Sequence, residues 1–192
     1  MQEYKKHLNR FKKAAPETAA AKVDIVDMFL KELTTDNQAS QLDGIRHLQE
    51  MRDPRIVPAL DNLLFRSRSD EVIEAVVTAM SRQKDPRAIP ALRKAAAGVY
   101  DFFLKLTIGE AQLNVGDAEG YATLINIMKE DDAGYARHQA NELLQKRSGQ
   151  KFGYNPDLPV AFNRAALTEL EAWYAKTGSR AKIVGRHPSS AD

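Results

Sequence analysis

Apolar residues recur along the chain at helical spacing, and the pattern itself recurs. The stretch "IVPALDNLLF" puts Val57, Leu60 and Leu64 on one face, and "EVIEAVVTAMSRQ" does the same with Ile73, Val76, Val77 and Met80. Spacings of three and four residues predict amphipathic helices rather than strands. Between the two runs, "RSRSD" is a polar break, and Asp70 is placed to cap the second helix. The ten letters "MRDPRIVPAL" are then almost repeated as "QKDPRAIPAL", so that Asp53 and Asp85 stand 32 residues apart. A further step of 32 reaches Asp117 in "NVGDAEGYATL". Val57, Ile89 and Tyr121 follow this step, as do Leu60, Leu92 and Leu124. Leu48 and Met80 correspond; one step on, Gln112 breaks the series with Leu113 one place late, and Leu144 restores it. Self-similarity at a fixed period of about 20–50 residues marks a repeat array.

Each unit reads as two helices and two short turns. Aspartate before proline is a helix-start signal, because the carboxylate accepts free backbone N–H groups and proline at the first position needs no N–H partner. Helix starts are therefore predicted near Pro54, Pro86 and Ala118. Pro58 and Pro90 follow four residues later. An interior proline costs a helix about 3 kcal/mol, but here only the first turn's bonding is at stake, so a bent or 3₁₀-like first turn is expected.

The motif D-P-R-x-[IV]-P-A-L, preceded by an L-x-x-x-x-D helix end, resembles the short HEAT-like repeats of the phycobilisome-lyase type, over roughly Ala39 to Gly149. Rival helical periods fit worse, since neither the W-x-x-L-G of tetratricopeptide units nor the T-P-L-H of ankyrin units is present. The resemblance implies an all-α fold, a right-handed α-α superhelix of about ten helices. Residues 1–178 are read as one solenoid domain: 1–36 as an N-terminal cap repeat, 37–149 as core repeats, 150–178 as a C-terminal cap. In the first cap Tyr4, Leu8 and Phe11 form one apolar stripe, and Ile25, Phe29 and Leu33 another. The last cap, "FGYNP" and a helix carrying Trp173, resembles the segment that closes bacterial HEAT-like arrays. Its tryptophan is expected to pack on the Leu143–Leu144 helix. Residues 179–192 are expected to be a disordered tail.

Composition narrows the chemistry. The 192 residues are 43% hydrophobic and 28% charged, with a net charge of +2 and no cysteine. Disulfides, thiolate metal sites and cysteine nucleophiles are excluded, which fits a reducing compartment. The first twenty residues hold no apolar signal core and no window approaches 18 apolar residues, so a cytoplasmic protein without a transmembrane segment is expected. None of the four histidines is followed by glutamate or paired at i, i+4, so no metal, no cofactor and no catalytic residue are expected. Phosphate-binding and nucleophile-elbow motifs are absent too.

The expected function is a non-enzymatic scaffold that binds another protein along its curved surface. The alternatives are a HEAT-like nucleic-acid-binding or base-processing protein, or a bilin-lyase-like subunit; nucleic acid is the less expected partner. Opposite the core positions of the first D-P-R helix stand Arg55, Asn62 and Arg66; stepping 32 gives Arg87, Lys94 and Gly98, then Glu119, Asn126 and Glu130. This makes a mildly basic ridge, expected on the concave side and facing an acidic partner. The competing reading is that each D-P-R arginine bonds to a neighbouring unit and holds the stack. Phe65, which aligns with Ala97 and Lys129, and Phe103 of "VYDFF" lie outside the core register and are candidate aromatic anchors.

Overall fold

The computed structural model describes residues 24–176. Among them are nine α-helices, three short 3₁₀ segments and no strand. The stripe of Tyr4, Leu8 and Phe11 and the tail 179–192 lie outside the described residues. The helices pair as the 32-residue period predicts. Helices α1 (Ile25–Leu33) and α2 (Gln38–Leu48) form the first pair, α3 (Ile56–Arg66) and α4 (Asp70–Gln83) the second. Next come α5 (Ile89–Gly98) with α6 (Phe102–Val115), and α7 (Glu119–Met128) with α8 (Tyr135–Ser148). Helix α9 (Arg164–Lys176) closes the array. The whole is an α-α solenoid.

The D-P-R helices begin two or three residues later than the capping signal predicts. Asp53 accepts a hydrogen bond from the Arg55 N–H at 2.9 Å, and the Asp53 carbonyl accepts from the Ile56 N–H at 3.1 Å. Pro54 and Arg55 thus form a turn, and α3 starts behind it. In the next unit Pro86–Ala88 is a 3₁₀ turn entered from Asp85, and in the third Asp117 accepts from the Glu119 N–H at 3.1 Å. The tight opening places Pro58 and Pro90 within the first turn of their helices, where no interior hydrogen bond is lost. The α4 cap also differs from expectation. Ser69, not Asp70, accepts from the Val72 N–H, and Asp70 is the first helical residue.

The helices lie in two layers, α1, α3, α5, α7 and α9 in one and α2, α4, α6 and α8 in the other. Neighbours in the second layer lie closely against one another, whereas α3, α5 and α7 stand further apart. Closer spacing belongs to the inside of a curve, so the D-P-R helices form the outer layer. Helix α6 packs on α4, α5, α7 and α8, which accounts for its being apolar almost all round.

Two apolar clusters make the core, one from Phe29 to Val115 and one from Leu113 to Leu170. Their seam falls where the register slips. There the buried Gln112 accepts from the Thr123 hydroxyl at 2.7 Å, and the buried Asp117 accepts two bonds from Arg93, at 2.7 and 2.8 Å. In the first two units the aspartate pairs with its own D-P-R arginine; in the third Glu119 occupies that place, and Asp117 takes its arginine from the preceding unit.

At the C-terminal end Phe152 and Tyr154 are buried, and the Tyr154 hydroxyl donates to the Met128 carbonyl at 2.7 Å. The buried Asn163 side chain accepts from the Asn155 N–H and donates to the Asn155 carbonyl, each at 2.8 Å, which fixes the turn. Trp173 meets Tyr121 edge-on at 5.2 Å and Phe152 at 5.4 Å between ring centroids. The expected support was the Leu143–Leu144 helix. The structure makes α7 the main neighbour of α9, while Leu143 and Leu144 belong to the same apolar cluster that Trp173 packs against.

Candidate partner-binding surface

The D-P-R arginines are tied into the stack. Arg55 bonds Asp53 within its own turn at 2.9 Å and Asp24, the α1 cap, at 2.8 Å. Arg87 bonds Asp85 at 2.5 Å and donates to the Pro54 carbonyl of the preceding unit at 3.1 Å. The equivalent step recurs along the chain: Gln83 donates to the carbonyls of Leu48 and Met51 at 3.0 and 3.1 Å, and Asn114 donates to the Ser81 hydroxyl at 2.8 Å. Arg66 donates to the Leu33 carbonyl at the end of α1. Three of the four cations of the anticipated ridge therefore hold neighbouring units together.

This arrangement gives acid sensitivity a defined source. The Arg55 side chain, and then its backbone N–H, hold the Asp53 carboxyl down at about 2; Arg55 also lowers Asp24. An aspartate in the unfolded chain titrates near about 3.9. The stabilisation is therefore complete above about pH 4 and lost as pH falls towards 2. Arg55→Gln should flatten the fall of the thermal midpoint across that window. Superimposable acid profiles for the two proteins would detach the carboxylates from stability.

Asn62, Phe65, Arg66 and Lys94 are brought together. They line one open groove of about 750 Å³ between α3 and α5, with Pro58, Pro90 and Ala91 on its walls and Asp61 at its rim. The groove follows from the repeat. Pro58 and Pro90 are equivalent positions, as are Asn62 and Lys94, but the places of Phe65 and Arg66 are taken by the small Ala97 and Gly98 in the next unit. The large-to-small change leaves the Phe65 ring 43% exposed. Lys94 lies over that ring, its Nζ 3.9 Å from the centroid. Such a contact at an exposed site contributes about 0.5–1 kcal/mol, and a ligand can share it.

Arg55 and Arg87 do not line this groove; they stand in the turns just ahead of α3 and α5. Phe103 is separate as well, 52% exposed at the start of α6 in the inner layer. The groove itself sits on the outer layer, not on the expected concave side. Its proline and alanine walls were not among the sequence candidates, although the Pro58–Pro90 equivalence marks them. Among the described residues no three His, Asp or Glu side chains form a metal-binding group, and no helix is long and apolar enough to cross a membrane.

Residues 26–111, from α1 into α6, match the family model of HEAT repeats. No curated protein and no solved structure matches the chain.

Proposed function

The chain is a HEAT-like repeat protein, and on that premise we propose that it is a non-enzymatic adaptor whose α3–α5 groove takes a short acidic, apolar segment of a partner protein. HEAT repeats are generally protein-interaction scaffolds. The observation that carries the assignment is the Phe65–Lys94 pair: an exposed aromatic face beside a cation, walled by two rigid prolines. An apolar side chain of the partner would cover Phe65, and a neighbouring carboxylate would meet Lys94. The acidic character asked of the partner now rests mainly on Lys94, since Arg55, Arg66 and Arg87 are engaged within the stack. That engagement also weighs against a phosphate backbone as ligand, which needs several cations in a row.

Random peptides displayed on phage and selected on the full chain provide the test. Selected sequences should place Asp or Glu beside a bulky apolar residue. Phe65→Ser should weaken their binding at least about tenfold, a loss near 1.4 kcal/mol. Lys94→Glu should slow association and reduce its dependence on salt. Both side chains reach solvent, so folding stability should move by about 1 kcal/mol, the scale of the cation–π contact that either change removes. Peptides that bind both variants as they bind the parent would place the site elsewhere.

A further inference from the structure

Eight large apolar side chains are exposed among the described residues, and six of them share one edge of the solenoid. This is the edge of the turns that link outer to inner helices. Phe65 ends α3, Tyr100 lies in the α5–α6 turn, and Phe103 and Tyr135 open α6 and α8. Leu158 and Phe162 join them, because the Leu158 carbonyl accepts from Arg137 near the start of α8 and the Val160 N–H donates to Asp131. Tyr100 is 93% exposed and Tyr135 65%. Phe103 and Tyr135 stand 32 residues apart, so they are equivalent positions on neighbouring inner helices. The opposite edge is different in kind: it carries the D-P-R ion pairs. A row of exposed aromatics on an otherwise charged protein marks an interaction surface.

Charge along this edge changes sign. Around the α3–α4 turn stand Arg66 and Arg68, with Lys94 beside them. Asp70 and Glu71 follow on α4, where Glu71 accepts from Gln38 of the inner layer at 2.7 Å. The α7–α8 turn carries Glu130, Asp131 and Asp132, and Asp157 lies close by, 3.4 Å from His138. The α5–α6 turn, with Tyr100, lies midway. We propose that two copies of this chain meet along this edge, antiparallel about a twofold axis near Tyr100 and Phe103. A twofold interface must be self-complementary. Reversing the edge on itself sets the basic turn of one copy against the acidic turn of the other and lays the aromatic rows together. The surface meets the α3–α5 groove at Phe65, Arg66 and Lys94, whereas Tyr100 and Tyr135, at its centre and acidic end, lie outside that groove.

Sedimentation velocity of the full chain over a range of micromolar concentrations tests this. The parent should dimerise, more weakly as salt is raised. Tyr100→Ser combined with Tyr135→Ser should weaken the dimer at least about tenfold, with an unchanged circular-dichroism melt and with groove peptides still bound. Arg68→Glu alone and Asp132→Arg alone should each weaken it. Placed in the same chain, the two reversals should restore it, because the antiparallel arrangement pairs them again. A parent that stays monomeric throughout, or a double serine variant that dimerises like the parent, overturns the proposal. Failure of the combined reversal to recover dimerisation overturns the antiparallel arrangement.

Discussion

Gly120→Ala should lower stability by about 3 kcal/mol, the upper end of the usual cost of overpacking. At roughly 2–4 °C for each kcal/mol in a chain of this size, the melting midpoint should drop by about 6–12 °C. A Cβ at Gly120 would lie 2.6 Å from the Gly109 carbonyl oxygen and 2.7 Å from the Leu113 Cγ. The first contact is with backbone, so no rotamer change relieves it. The only relief is to separate α6 from α7, the most closely packed helix pair of the array, and that pair carries the seam between the two apolar clusters. Opening it would strain the Gln112–Thr123 and Arg93–Asp117 bonds as well. Gly98→Ala is the control, since a Cβ there meets nothing within 4 Å at the exposed end of α5. That change should be neutral or stabilising, by up to about 1 kcal/mol. Thermal denaturation of both variants decides the matter, and equal effects would mean that the α6–α7 approach does not limit the packing.

Glycine at 120 was not legible as a constraint, although its neighbourhood was. The step of 32 located every D-P-R turn and most of the core, because capping chemistry and apolar spacing both repeat and each confirms the other. It located helix starts less well. A proline after aspartate marks either a first helical residue or a tight turn before one, and the Arg55 and Arg87 side chains select the turn by closing onto the aspartates. Which layer faces inward was not legible at all, since outer and inner helices carry similar apolar stripes and differ only in how closely neighbours approach. The candidate surface was half legible. Phe65 stands out as a departure from the repeat and Lys94 as a cation of the ridge, and the two meet. The arginines carry charge, and charge on a sequence does not show that a carboxylate or carbonyl of the preceding unit already takes it. Phe102 and Phe103 divide as adjacent positions on a helix must, one partly buried and one exposed.

Trp173→Ala should cost about 3 kcal/mol, the lower end of the range for removing a large aromatic, because the ring is only partly buried. The ring stands edge-on to Tyr121, which is fully buried and donates its hydroxyl to the Arg147 carbonyl at 2.8 Å. Tyr121 therefore couples α7 to the end of α8, and Trp173 covers the open side of that junction together with Phe152. Without the indole, water reaches the Tyr121 ring and the second apolar cluster loses its lid. The first cluster does not touch Trp173, and in a repeat stack each unit leans only on its neighbours. Hydrogen exchange should then show α9 and α7 losing protection while α1 to α4 keep theirs, a graded response rather than a uniform one. Gly120→Ala, placed at the seam, should weaken protection on both sides. A Trp173→Ala protein with an unchanged melting curve would free the indole from any capping role. Uniform loss of protection reaching α1 would mean that the described helices unfold as one cooperative unit, with no independent C-terminal end.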